Sequence, residues 1–172
     1  MKLNFRKGLI VGVVLGLLLL LVGKLYIDDL AERSLKIVEF DVNSLEYRNL
    51  NDEVVSLKEI AGERHIFLNY WATWCKPCLE EFPLLSKVAG ITKDEFVFIM
   101  VSDQDLDKIS KFSTSKDYNF IYLQTDNFIS NGINPIPQSF ILDSKLNVKK
   151  RHRGAIKGTA NQTVDSLKTW VQ

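Results

Sequence analysis

Cys75 and Cys78 are the only cysteines in the 172-residue chain, and they stand as C-x-x-C. That spacing suits a dithiol that closes to a disulfide, or half of a metal site. Residues 65–70 (HIFLNY) read as a buried strand, and residues 75–88 read as a helix. The first cysteine therefore opens a helix, where free N–H groups and the positive dipole end stabilise a thiolate. Two intervening residues bring the second sulfur within bonding reach. Pro77 falls in the first turn, where its missing N–H is not needed. Lys76 adds a positive charge near both sulfurs, which lowers the thiol pKa further. Cys75 is expected to be the exposed nucleophile and Cys78 the more buried resolving thiol. Tetrahedral zinc would need two more ligands, and the two histidines, His65 and His152, lack the spacing of a finger. His65 reads as a strand-edge residue. A redox role is the stronger reading, with no metal and no cofactor, since no flavin or nicotinamide motif is present.

The elements that must hold this pair alternate from residue 44 onward. A hairpin is expected across residues 46–56, with Asn51 and Asp52 at its turn. A short helical turn follows at 57–60, closed by Gly62. Residues 96–101 (FVFIMV) form a continuous apolar run, the pattern of a strand buried on both sheet faces. Residues 105–115 read as a helix, 120–123 as a strand, 139–143 and 148–153 as a paired set, and 161–171 as a closing helix. Phe96, Phe98, Phe112, Phe120 and Phe140 belong to the core. This order implies an α/β fold, a mixed sheet with helices on both faces.

The N-terminus bears on the compartment. Residues 9–22 (LIVGVVLGLLLLLV) carry no charge, and residues 8–27 contain a single Lys near their end. At about 1.5 Å per residue, such a helix spans roughly the 30 Å hydrocarbon core. Lys2, Arg6 and Lys7 precede it, and Asp28, Asp29 and Glu32 follow it. The positive-inside rule places the N-terminus in the cytoplasm and the remainder outside. A cleaved signal peptide is the rival, but no A-x-A site follows the run. Residues 1–27 are thus expected to be a membrane anchor, 28–43 a connector and 44–172 the redox domain. In an extracytoplasmic compartment, disulfide chemistry is favoured.

The segment WATWCKPC followed by EFP, residues 71–78 and 81–83, resembles the thioredoxin superfamily, specifically its membrane-anchored TlpA/ResA-like branch. A second signature, Pro135-Ile136-Pro137-Gln138-Ser139-Phe140, precedes a strand. The resemblance covers residues 44–172 and implies a thioredoxin-like fold. It implies a cis peptide bond before Pro137, packed against the active-site disulfide. The Ile136 backbone would then pair with an extended substrate segment. Gly154 matches a glycine near the same groove. Trp74 would shield the nucleophile and line that groove; Trp71 reads as packing. Ordinary thioredoxins carry a buried Asp at the position of Asn69. The branch tends to have Asn there, with a Glu where this chain has Glu81. Glu81 lies on the same helix face as Cys78, and a carboxylate partly buried there would take the proton from Cys78. Glu80 should point away. The resemblance implies extracytoplasmic thiol–disulfide exchange in the reducing direction. It implies disulfide-containing protein substrates, such as the C-x-x-C-H of apocytochrome c, and electrons from a membrane donor of the DsbD/CcdA kind. An oxidase, a metal chaperone or a redox-gated binding module are the alternatives.

Composition closes off another class. Lys2, Arg6, Lys7 and Lys24 lie in the first 27 residues; the remainder holds 18 basic and 21 acidic residues, a net −3. A weakly acidic domain is a poor holder of a phosphate backbone, so nucleic-acid binding is not expected. The basic run at residues 149–153 (KKRHR) reads as a solvated strand that could touch anionic lipid or an acidic partner.

Overall fold

A computed structural model describes residues 12, 14–24, 26, 41–129 and 132–171. The chain divides into two compact units, Met1–Phe40 and Asp41–Gln172. In the first, residues 14–24 are helical, with exposed apolar side chains from Val14 to Val22. Among the described residues no helix is long and apolar enough to cross a membrane. Of the anchor expected within residues 1–27 only residues 12, 14–24 and 26 are described, and most of the connector expected at 28–43 lies outside the described residues.

The second unit is built on one seven-stranded sheet, and its elements follow the order read from the sequence. They are β1 (Tyr47–Arg48), β2 (Val54–Val55), α1 (Leu57–Ala61), β3 (His65–Tyr70), α2 (Lys76–Ile91), β4 (Phe96–Ser102), α3 (Leu106–Ser115), β5 (Ile121–Gln124), β6 (Gln138–Leu142), β7 (Val148–Arg153) and α4 (Ala160–Val171). The strand order is β2-β1-β5-β4-β3-β6-β7. β3, β4 and β5 run parallel, linked through α2 and α3; β6 and β7 run antiparallel beside β3. Every residue of β4 is buried, as its unbroken apolar run demands. His65 is the first residue of β3 and only partly buried, at the edge of that central strand. Its ring packs 5.2 Å from Phe96.

Alternate strand residues face opposite sides of the sheet. Phe67, Trp71, Phe98, Met100 and Ile141 join Phe82 of α2, Ile109 of α3 and Leu167 of α4 in one cluster. The three longer helices therefore supply a single cluster, while the buried Leu57 and Ala61 of α1 lie outside it. The physical reason is direction: β3, β4 and β5 step the same way across the sheet, so right-handed crossovers put α2 and α3 together. Tyr70 is fully buried against other partners. Its ring meets Phe128 at 5.4 Å and Phe140 at 5.8 Å, and its hydroxyl meets that of Tyr47 at 2.9 Å. Tyr47 also donates to the Val42 carbonyl at 2.7 Å.

Candidate active site

The site forms where β3 ends and α2 begins. Cys75 caps α2, with its amide donating to the Ala72 carbonyl at 3.0 Å. Cys75 and Cys78 are joined as a disulfide, with Cα atoms 5.3 Å apart. Cys75 is 4% exposed and Cys78 fully buried. Cys75 is thus the more accessible sulfur, but it is not openly exposed, contrary to the sequence reading. The cause is the disulfide: Cys78 lies on the buried stripe of α2, and bonding to it draws Cys75 into the core cluster. Trp74 stands 67% exposed beside the pair, whereas Trp71 is fully buried, 4.6 Å from Phe112 and 5.1 Å from Phe82. Lys76 and Pro77 are exposed. The Lys76 ammonium lies 3.8 Å from the exposed carboxylate of Glu80. Its charge is therefore shared with an acid in water, which weakens its expected pull on the thiols.

The buried stripe of α2 comprises Cys78, Glu81, Phe82, Leu85, Val88 and Ala89. Glu81 is the one charged residue on it, 3% exposed and one helical turn beyond Cys78. One carboxylate oxygen accepts from the Asn69 side-chain amide at 2.9 Å. The other accepts from the Ile156 backbone amide at 2.7 Å. Asn69 also donates to the Ser139 hydroxyl at 3.0 Å, across the β3–β6 pairing that places the two opposite each other. Burial pushes the Glu81 carboxyl up to about 7, although the bonds from Ile156 and Asn69 favour its charged form. It is held poised near neutrality beneath the disulfide helix.

The second wall is the loop into β6. The Ile136–Pro137 bond is cis, as the resemblance implies, and so is Asn134–Pro135. Pro137 is buried and Ile136 half-buried. The Gly154 amide donates to the Pro137 carbonyl at 2.9 Å; Gly154 adopts φ 90°, a left-handed conformation suited to glycine. His152 pairs opposite Ser139 on β7.

The structure also brings in contacts that the sequence reading did not single out. Gln104, after β4, accepts from the Thr73 amide at 2.7 Å and donates to the Thr73 hydroxyl at 3.0 Å. This reciprocal pair ties down the loop entering Trp74 and Cys75. Ser139 and the Ile156 amide complete the Glu81 setting. Gln138 and Arg151 grip the cis-proline loop. Gln138 and Ser139 fall in the Pro135–Phe140 signature, but no local pattern marks any of these contacts.

A strand delivering a C-x-x-C disulfide to a helix N-terminus, with a cis-proline leading into the strand paired beside it and a buried carboxylate one turn below, defines a thioredoxin-like thiol–disulfide oxidoreductase. Comparison with known proteins agrees. The model of the AhpC/TSA family matches residues 35–151, and the chain belongs to that family. It is 29% identical over 129 residues to the thiol-disulfide oxidoreductase ResA of Bacillus cereus, covering 72% of this chain and 70% of that one. It is 30% identical over 115 residues to the thioredoxin-like protein YneN of Bacillus subtilis, covering 63% and 67%. Among solved structures, StoA of Bacillus subtilis superposes with a TM-score of 0.56 at 23% identity, covering 77% of this chain and 99% of that one. The exposed lipoprotein thioredoxin of Streptococcus pneumoniae superposes at 0.59 and 20% identity, covering 72% and 97%. These two likenesses bear on the fold.

Proposed function

We propose that this chain is a membrane-tethered reductase of disulfides in extracytoplasmic proteins, acting through the Cys75–Cys78 dithiol. The observation that carries the reading is the buried carboxylate of Glu81, one turn beyond Cys78 and perturbed toward neutrality. In the reduced enzyme the Cys75 thiolate attacks a partner disulfide. The partner bond breaks, one partner sulfur leaves as thiolate, and a mixed disulfide forms. Glu81 takes the proton from Cys78. The Cys78 thiolate then attacks the Cys75 sulfur, releases the partner's second thiolate and closes the Cys75–Cys78 disulfide. Two electrons pass to the partner, and the enzyme is left as the oxidised Cys75–Cys78 pair for the donor to reduce again.

The apolar run at residues 9–22 behind its basic cap supports the tether, with the catalytic domain in the periplasm or outside the cell. A disulfide in a haem-attachment C-x-x-C-H segment of apocytochrome c is a fitting substrate. A membrane donor of the DsbD/CcdA kind is a fitting electron source. Acid-trapped thiol alkylation in growing cells tests the direction. Mostly reduced Cys75 and Cys78, turning oxidised when the donor is deleted, support a reductase. Mostly oxidised cysteines overturn that direction and favour an oxidase.

A further inference from the structure

We propose that Arg151 and Gln138 form a clasp that positions the cis-proline loop for extended peptide substrates, so that Arg151 governs recognition of protein disulfides more than of small ones. The inference rests on the thiol–disulfide reading above. The loop from Gly132 to Pro137 holds two prolines, Pro135 and Pro137, neither of which has an N–H to anchor it. It is held through its carbonyls instead. Gly132 O accepts from Arg151 Nη2 at 3.0 Å, Pro135 O from Gln138 Nε2 at 2.7 Å, and Pro137 O from the Gly154 amide at 2.9 Å. Arg151 and Gln138 are themselves coupled. Gln138 Oε1 accepts from Arg151 Nε at 3.0 Å and Nη2 at 2.7 Å.

Gln138 is fully buried, so its amide depends on these partners. The guanidinium lies 5.2 Å from the centre of the Phe140 ring, which supports its plane. One fork thus joins β6, β7 and two points of the loop. The residue left over is Ile136. Its amide and carbonyl have no hydrogen-bond partner among the described residues, and its side chain is half-buried against the core cluster that includes Cys75 and Cys78. Fixing its neighbours on both sides presents the Ile136 peptide at a set height and angle to an incoming strand. Lysine in place of Arg151 would keep the charge but not the fork that reaches Gln138 and Gly132 together.

The test compares the reduced full-length protein with Arg151→Lys and Arg151→Met on two oxidants. One is insulin, whose disulfides sit in peptide chains. The other is 5,5′-dithiobis(2-nitrobenzoate), which offers no peptide backbone. Both variants are expected to lose about tenfold more rate on insulin than on the aromatic disulfide, the scale of one hydrogen bond to the substrate backbone. The loss should appear in the half-saturating insulin concentration more than in the maximal rate. Equal slowing with both oxidants overturns the proposal, since it marks general loosening. So does Arg151→Lys with wild-type selectivity, since charge alone would then suffice. A wild-type protein that reduces neither oxidant overturns the thiol–disulfide reading itself, a result distinct from either.

Discussion

Replacing Glu81 with Gln should remove a pH dependence of stability that the wild-type chain carries. The Glu81 carboxyl titrates near 4.5 when exposed in the unfolded chain and is pushed up to about 7 in the fold. Between those values the folded state binds more protons than the unfolded one, so stability falls as pH rises. The stabilisation is fully present below about pH 4.5 and is lost by about pH 7, where the buried carboxylate ionises. At 1.36 kcal/mol per pKa unit, the full change is about 3 kcal/mol, with a slope of about 1.4 kcal/mol per pH unit inside the window. Gln keeps an oxygen for the Ile156 amide. Its new NH₂ group meets Asn69, whose Oδ1 has no partner in the wild type and can turn to accept it. The variant is therefore neutral throughout the window. Urea unfolding of the oxidised protein and of Glu81→Gln at steps from pH 4 to 8 measures the difference, in which other titrating groups cancel. The wild type should lose about 3 kcal/mol relative to the variant across the series. A difference that stays flat, or that moves in favour of the wild type as pH rises, would refute the placement of Glu81 as a buried, near-neutral acid.

The same group should set a kinetic profile: the step in which Cys78 resolves a mixed disulfide should accelerate as pH rises through about 7, and Glu81→Gln should flatten that limb in rapid-quench measurements. Gln104→Leu strands the Thr73 amide and should cost about 1–3 kcal/mol, read from the urea midpoint. Phe82→Ala empties a fully buried site packed by Trp71, Phe112, Tyr118 and Phe120. It should cost about 3–5 kcal/mol and lower the Tm correspondingly.

Much of this architecture was legible from local pattern. The strand at 65–70 coincides with the observed β3, and the apolar run at 96–101 falls one residue short of the observed β4. Both are buried strands whose composition leaves little choice. The helix read at 75–88 begins one residue later and runs one turn further, because Gly90 and Ile91 continue it to a Thr92 cap. Glu81 was legible through the resemblance, which pairs Asn69 with a Glu three residues after the second cysteine, on the Cys78 face of the helix. Its bonding partners were not: Ile156 lies 75 residues away, and only the return of the chain after β7 brings its amide to the carboxylate. Gln104 and Thr73 are 31 residues apart, and Arg151 and Gln138 meet only through the pairing of β6 with β7. Such contacts belong to topology rather than to periodicity. The burial of Cys75 follows from the closed disulfide, which no spacing rule conveys.

The most direct test of the account is mixed-disulfide trapping with Cys78→Ser and Cys75→Ser. With Cys75 attacking and Cys78 resolving, Cys78→Ser should accumulate covalent adducts with disulfide-containing proteins that dithiothreitol releases, and Cys75→Ser should form none. Adducts formed by Cys75→Ser and not by Cys78→Ser, or by neither variant, would contradict it.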